Sequence, residues 1–208
     1  MTVTKLANKF QKNYCRALVI THGASEHQIA SYIKRNLRIP MEIVGKDKGS
    51  HSIQINGLAD WLKKHFPSQK DFIKKYPSVQ IKDKFLTDFA IFTIMDTDDC
   101  DPQSLLDKYK DKSLFDGLWI QKYIYPIYNT PSLEHILFNT GIIDKMLSDS
   151  EKMSTYRKIF PLDKNNPIQT GLTEIKTFRD KVGESKNTNL FEFVDYCVNW
   201  ANDNRVER

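Results

Sequence analysis

Two short stretches of the chain hold residues whose types and spacing suit chemistry. One is His22-Gly23-Ala24-Ser25-Glu26, and the other is the pair Asp96-x-Asp98. Each follows a short apolar run: Ala17-Leu18-Val19-Ile20 precedes the first and Phe89-Ala90-Ile91-Phe92-Thr93-Ile94-Met95 the second. Runs of this length bounded by glycine or acidic turns read as buried strands. In an open parallel sheet, ligands bind at the carboxyl ends of strands, where both stretches lie. If the two strands are neighbours, Glu26, Asp96 and Asp98 converge. Three carboxylates packed together resist ionising. A hard divalent cation, Mg²⁺ or Mn²⁺, relieves that conflict, accepts oxygen ligands and leaves positions open for phosphate. The competing reading is structural. Acidic residues after a strand often cap the next helix, and Asp98 or Asp99 could cap one that begins near Pro102.

The surrounding pattern supplies the scaffold. After the first strand, Ser25 is a candidate N-cap, and Ile29, Ile33 and Leu37 recur at helical spacing until Pro40 stops the helix. Met41-Glu42-Ile43-Val44 reads as a second strand, so the chain opens with a βαβ unit, a parallel pair with a right-handed crossover. A helix follows from about Ile53, with Leu58, Trp61 and Leu62 on one face and Pro67 at its end. Residues 68–84 are lysine-rich and poorly patterned. The run 89–95, apolar on both faces, fits a central parallel strand. Leu105, Leu106 and Tyr109 mark a helix. Tyr123 to Tyr128 reads as a strand whose Pro126 suggests an edge or a bulge, and a helix runs from Pro131 to a stop at Gly141. From Ile142 the pattern is helical, broken at Pro161 to Pro167, with a last helix near 190–202. The expected fold is α/β, a mostly parallel sheet of about four strands with flanking helices. Residues 1–14 form an arm, 15–141 the α/β domain, and 142–208 a helical extension packed on it.

The order strand, hGxxE turn, helix, then strand ending in DxD resembles the Toprim domain of topoisomerases, DnaG-type primases, OLD-family nucleases and RloB-like proteins. The closest likeness is to the OLD and RloB-like branch of bacterial defence systems. The segment Tyr128-Asn129-Thr130-Pro131-Ser132-Leu133-Glu134-His135-Ile136-Leu137 is similar to a stretch of RloB-like proteins in which an Asn-Pro pair leads into a helix with a further acidic residue. The resemblance spans about residues 15–140. It implies a metal-dependent nuclease or nuclease-like effector acting on DNA or RNA, with antiviral defence as its setting. By its pattern Glu26, Asp96 and Asp98 hold Mg²⁺ or Mn²⁺, and Glu134 assists. One departure stands out: where the family carries Glu immediately before the glycine, this chain has His22. Either His22 serves as base or extra ligand, or the domain binds without cutting. In the second case it is a regulatory module working with a partner such as an ATPase subunit, or with further copies of itself.

Charge bears on the partner. Residues 1–84 carry 16 Lys and Arg against 6 Asp and Glu, and residues 85–208 carry 15 against 20, within a net charge of +5. A basic half often faces phosphates, although lysines also keep surfaces solvated. The stretch Gly45 to Ser52 concentrates Lys46, Lys48, Ser50 and His51 before a helix start, a candidate clamp on a nucleic-acid backbone. It is not a Walker A loop, so no ATP hydrolysis is expected. Tyr123, Tyr125 and Tyr128 could stack on bases, or simply form core and rim. With 40% apolar and 27% charged residues in 208, the chain is neither disordered nor collagen-like. No apolar run reaches the roughly 18–20 residues a membrane span needs, and the N-terminus lacks a signal-peptide core. Three scattered cysteines make neither a CxxC pair nor a disulfide framework, so a reducing cytoplasm is expected.

Overall fold

The side chains of two strands alternate between two cores, and that alternation builds the fold. In the computed structural model, which describes residues 14–46, 51–162 and 171–204, strand β1 (Ala17–Thr21) sends Ala17 and Val19 to one face and Leu18 and Ile20 to the other. Strand β5 (Ala90–Asp96) does the same with Phe92 and Ile94 against Ile91 and Met95. Successive strand residues point to opposite faces, so a run that is apolar throughout must be covered on both sides. Helices supply the cover.

Strand β2 (Met41–Val44), β1, β5 and β6 (Ile124–Asn129) pair in that order, all parallel. Pro126 lies on β6, an edge strand, where a missing N–H costs no ladder bond. One layer comprises α2 (Ile55–His65), α3 (Gln69–Lys75) and α4 (Gln103–Lys110). The Tyr109 hydroxyl, fully buried, bonds the Thr93 carbonyl at 2.6 Å and so ties α4 to β5. The other layer comprises α1 (Ala24–Leu37), α5 (Leu133–Asn139), α6 (Asp149–Ile159), α7 (Gly171–Gly183) and α8 (Leu190–Asp203).

Two details differ from the sequence reading. The N-cap of α1 is Gly23, because Glu26 turns back and accepts the Gly23 N–H at 2.8 Å; Ser25 lies inside the first turn. The poorly patterned stretch 68–84 holds α3, begun by Ser68 accepting the Asp71 N–H, and the start of a hairpin of β3 (Ile81–Lys82) with β4 (Phe85–Leu86). The C-terminal helices share one continuous core with α1 and the sheet: Ile175, Phe193, Val194 and Cys197 are wholly buried in it. The approach is close. A Cβ on Gly171, at the start of α7, would lie 2.7 Å from Asn36 Oδ1 on α1, so only glycine fits there. The arm at 1–13 and most of the Pro161 to Pro167 break lie outside the described residues.

Candidate functional site

The parallel strand order turns around between β1 and β5. From β1 the chain goes outward to β2, then returns to build β5 and β6 on the other side. At such a switch point the following helices diverge and leave a crevice beyond the strand ends. A cavity of about 770 Å³ opens there, lined among others by His22, Gly23, Glu26, Asp96, Asp98, Glu134 and Lys152.

Its floor is acidic. Glu26 is 3% exposed, Asp96 6% and Glu134 6%. The turn that carries Glu26 is fastened by its backbone: the His22 N–H donates to the Ile94 carbonyl at 2.8 Å, and the His22 carbonyl accepts from Ile53 at 2.9 Å. Asp96 ends β5 in register with Asn129 at the end of β6. Its Oδ1 accepts from Asn129 Nδ2 at 3.1 Å and from the Leu133 N–H at 3.0 Å, which brings α5 and Glu134 onto the same crevice. Glu134 Oε1 meets Ser25 Oγ at 3.3 Å, the Tyr156 hydroxyl at 3.4 Å and Lys152 Nζ at 3.6 Å.

Burial dominates the electrostatics. It pushes the Glu26 carboxyl up to about 7, against hydrogen bonds from the backbone of Glu26 and Gly23; the Glu134 charge adds to the rise and Lys152 opposes it. Asp96 rises well above the carboxylate range, through burial first and the charge of Glu26 second, eased by His22 and by the Asn129 hydrogen bond. Burial, then Glu134 and Glu26, also raise the Tyr156 phenol. These groups therefore feel one another. His22 Nδ1 is buried without a hydrogen-bond partner.

Carboxylate oxygens that repel one another are the donor type a hard divalent cation takes. Among the described residues, however, no three His, Cys, Asp or Glu side chains stand together so as to hold a metal ion.

The structure thus lines one cavity with Glu26, Asp96 and Glu134, and with His22 and Asp98; Asp98 is exposed. Neither Asp98 nor Asp99 caps the next helix, since α4 starts at Gln103 with Pro102 as its N-cap. Lys46 and His51 are exposed and face each other through the His51 N–H to Lys46 carbonyl bond at 3.3 Å, outside the cavity wall. Lys48 and Ser50 lie outside the described residues. Tyr123 is buried with its hydroxyl accepting the Leu86 N–H. Tyr125 is exposed beneath Lys112, whose Nζ lies 4.6 Å from the ring centre.

Sequence reasoning missed Lys152, Tyr156 and the part played by Asn129. A signal for the first two was present: Ser148 and Glu151 form a capping box that starts α6, and Lys152 and Tyr156, four apart, then share a helix face. No family model, curated protein or solved structure matches the chain.

Proposed function

We propose that the crevice is a Toprim-like site for a divalent cation, Mg²⁺ or Mn²⁺, and a nucleic-acid phosphodiester, which it hydrolyses. The observation that carries this reading is the meeting of Glu26, Asp96 and Glu134, all nearly buried, at the switch point of a parallel sheet. Carboxylates are rarely this buried unless a partner balances them. Glu26, Asp96 and Asp98 would hold the ion, and a bound ion would polarise the phosphodiester and acidify a water. Burial raises the Glu26 carboxyl to about 7 in the metal-free protein, so binding an ion there would release its proton. His22 Nδ1, which has no protein partner, offers a proton acceptor for the water. Lys152, 3.6 Å away, balances Glu134.

The test is a melting curve with and without metal. A ligand present at about 100 times its Kd stabilises the folded state by about 2.7 kcal/mol, a rise on the order of 5–10 °C for a chain this size. Asp96→Asn should lose that gain and keep the fold, because its amide oxygen can still accept from Leu133. An unshifted wild-type curve in saturating Mn²⁺ and Mg²⁺ removes the cation from the site.

A second reading has its own support. His22 stands where the resembled family carries Glu, and no three-residue metal cluster is formed among the described residues. Under that reading the domain binds nucleic acid or a partner such as an ATPase subunit and cuts nothing. Plasmid, single-stranded DNA and tRNA incubated with wild type, His22→Ala and His22→Glu separate the two. Cleavage by wild type that His22→Ala abolishes supports the enzyme. Cleavage by His22→Glu alone supports the inert module.

A further inference from the structure

The resemblance ends near residue 140, yet the loop joining α7 to α8 reaches the ends of the sheet strands. The Asn187 carbonyl accepts the Thr130 N–H at 2.8 Å, and Thr188 forms an isolated antiparallel bridge with Asn129. The Asn189 side chain accepts the Tyr128 N–H at 2.9 Å and donates to the Pro126 carbonyl at 2.9 Å. This segment therefore covers the edge that β6 would otherwise expose.

Within it runs a polarised chain of hydrogen bonds. The Leu190 N–H, a first-turn donor of α8 with no partner inside the helix, donates to Thr188 Oγ1 at 3.0 Å. With that bond made, the Thr188 hydroxyl turns its own hydrogen to Asn129 Oδ1 at 2.8 Å. Asn129 Nδ2 then donates to Asp96 Oδ1 at 3.1 Å. Asn129 is wholly buried and Thr188 is 3% exposed, so water does not compete.

We propose that Thr188 is a positioning residue for the crevice: its hydroxyl selects the Asn129 amide orientation that presents N–H to Asp96. A carboxamide is nearly symmetric in shape and opposite in hydrogen-bonding sense at its two ends. Held by its oxygen, Asn129 gives Asp96 a donor. Flipped, it would set its own oxygen against Asp96 Oδ1, two acceptors with no hydrogen between them. The Leu133 N–H fills the same Oδ1 from the other side, so the carboxylate is clamped between β6 and α5. Groups that orient a metal-binding side chain typically change metal affinity by about 10–100-fold when removed. The inference rests on the reading of Asp96 as a cation ligand and adds to it the C-terminal region, which supplies the orientation.

The experiment compares Thr188→Val, which keeps the shape and removes the hydroxyl, Thr188→Ala as a second deletion, and Thr188→Ser as a rescue. Two quantities are measured: the side-chain amide protons of Asn129 by ¹⁵N-resolved NMR in metal-free protein, and Mn²⁺ affinity by electron paramagnetic resonance titration. Wild type and Thr188→Ser should show a downfield, slowly exchanging Asn129 amide, and should bind Mn²⁺ alike. Thr188→Val and Thr188→Ala should lose the protected amide and bind Mn²⁺ about 10–100-fold more weakly, with metal-free melting still cooperative. Wild-type Mn²⁺ affinity in both deletions overturns the proposal, as does an unprotected Asn129 amide in wild type. A wild type that binds no Mn²⁺ fails the reading of the site and the positioning role with it. The amide signal then shows separately whether the hydrogen-bond chain exists.

Discussion

The α/β part up to Gly141 and the helices after it contribute unlike things to one crevice. The first supplies the acids: Glu26 on α1, Asp96 on β5 and Glu134 on α5. The second supplies what those acids lean on: Lys152 and Tyr156 from α6, and Thr188 from the loop before α8. An acid at a strand end is a local product of a turn and a helix start. A counter-cation or an orienting hydroxyl needs only to arrive in space, from any point in the chain. The difference teaches that where the cluster sits and how it is tuned are encoded in separate regions.

The strongest way to break this comparison is to remove the second region. A chain ended at Gly141 should give no cooperative melt, because α1 and one face of the sheet would lose the core they share with α6, α7 and α8. The milder version is Phe193→Ala. Phe193 is wholly buried and its ring packs 5.1 Å from that of Phe92 on β5. Such truncations cost about 3–5 kcal/mol, a fall on the order of 10 °C in Tm. A stable, cooperative 1–141 fragment would show that the α/β part does not depend on the core it shares with the C-terminal helices.

Acid–base behaviour sharpens the comparison next. Burial raises the Glu26 carboxyl from 4.5 to about 7, so across that window the folded chain holds a proton that the unfolded chain has released. The Glu26 contribution to metal-free stability then falls as pH rises from about 4.5 to about 7, since at this group the folded state binds more protons. Asp96, also raised, pulls in the same direction. Glu26→Gln should flatten the pH dependence of Tm across that range and still accept the Gly23 N–H. A wild-type Tm that climbs over the same range, with Glu26→Gln behaving identically, would contradict the buried pair.

Lys152 tests whether the later region tunes the earlier one. Its charge opposes the rise of Glu26 and lies 3.6 Å from Glu134. Lys152→Met should move the Glu26 midpoint upward in a carboxyl ¹³C titration. Since the lysine is one-third exposed, the loss of stability should stay within about 1 kcal/mol. An unmoved midpoint would separate the two regions electrostatically.

The smallest effect belongs to the basic stretch that begins at Lys46. If nucleic acid crosses it, Lys46→Ala combined with Lys48→Ala should weaken binding a few-fold at low salt. It should also flatten the salt dependence by roughly 0.9 in log–log slope for each phosphate that is no longer neutralised. Salt-independent affinity would show that no phosphate is held on this surface.

The sheet was legible because its signals are local and redundant. Ala17 to Ile20 and Ala90 to Met95 are apolar at nearly every position, which a strand covered on both faces tolerates, and Pro126, whose missing N–H suggested an edge or a bulge, lies on the edge strand. Glu26 and Asp96 were legible as a pair because each follows such a strand. Ser25 was misread as a cap since the competition is decided by one side-chain bond, Glu26 to the Gly23 N–H, that spacing does not reveal. The hairpin of β3 and β4, with strands of two residues each, is too short to show a period.

The sequence by itself determined which residues form the four sheet strands, which helices follow them, and that carboxylates stand at two strand ends. These are consequences of side-chain period and turn chemistry within a few neighbouring residues. Only the tertiary structure decided that Glu26 and Asp96 share a crevice with Glu134, Lys152 and Tyr156, and that Thr188 meets Asn129, and through it Asp96, across 59 positions of chain. Burial and hydrogen-bond direction depend on what packs from outside the local segment, and no periodicity along the chain records it.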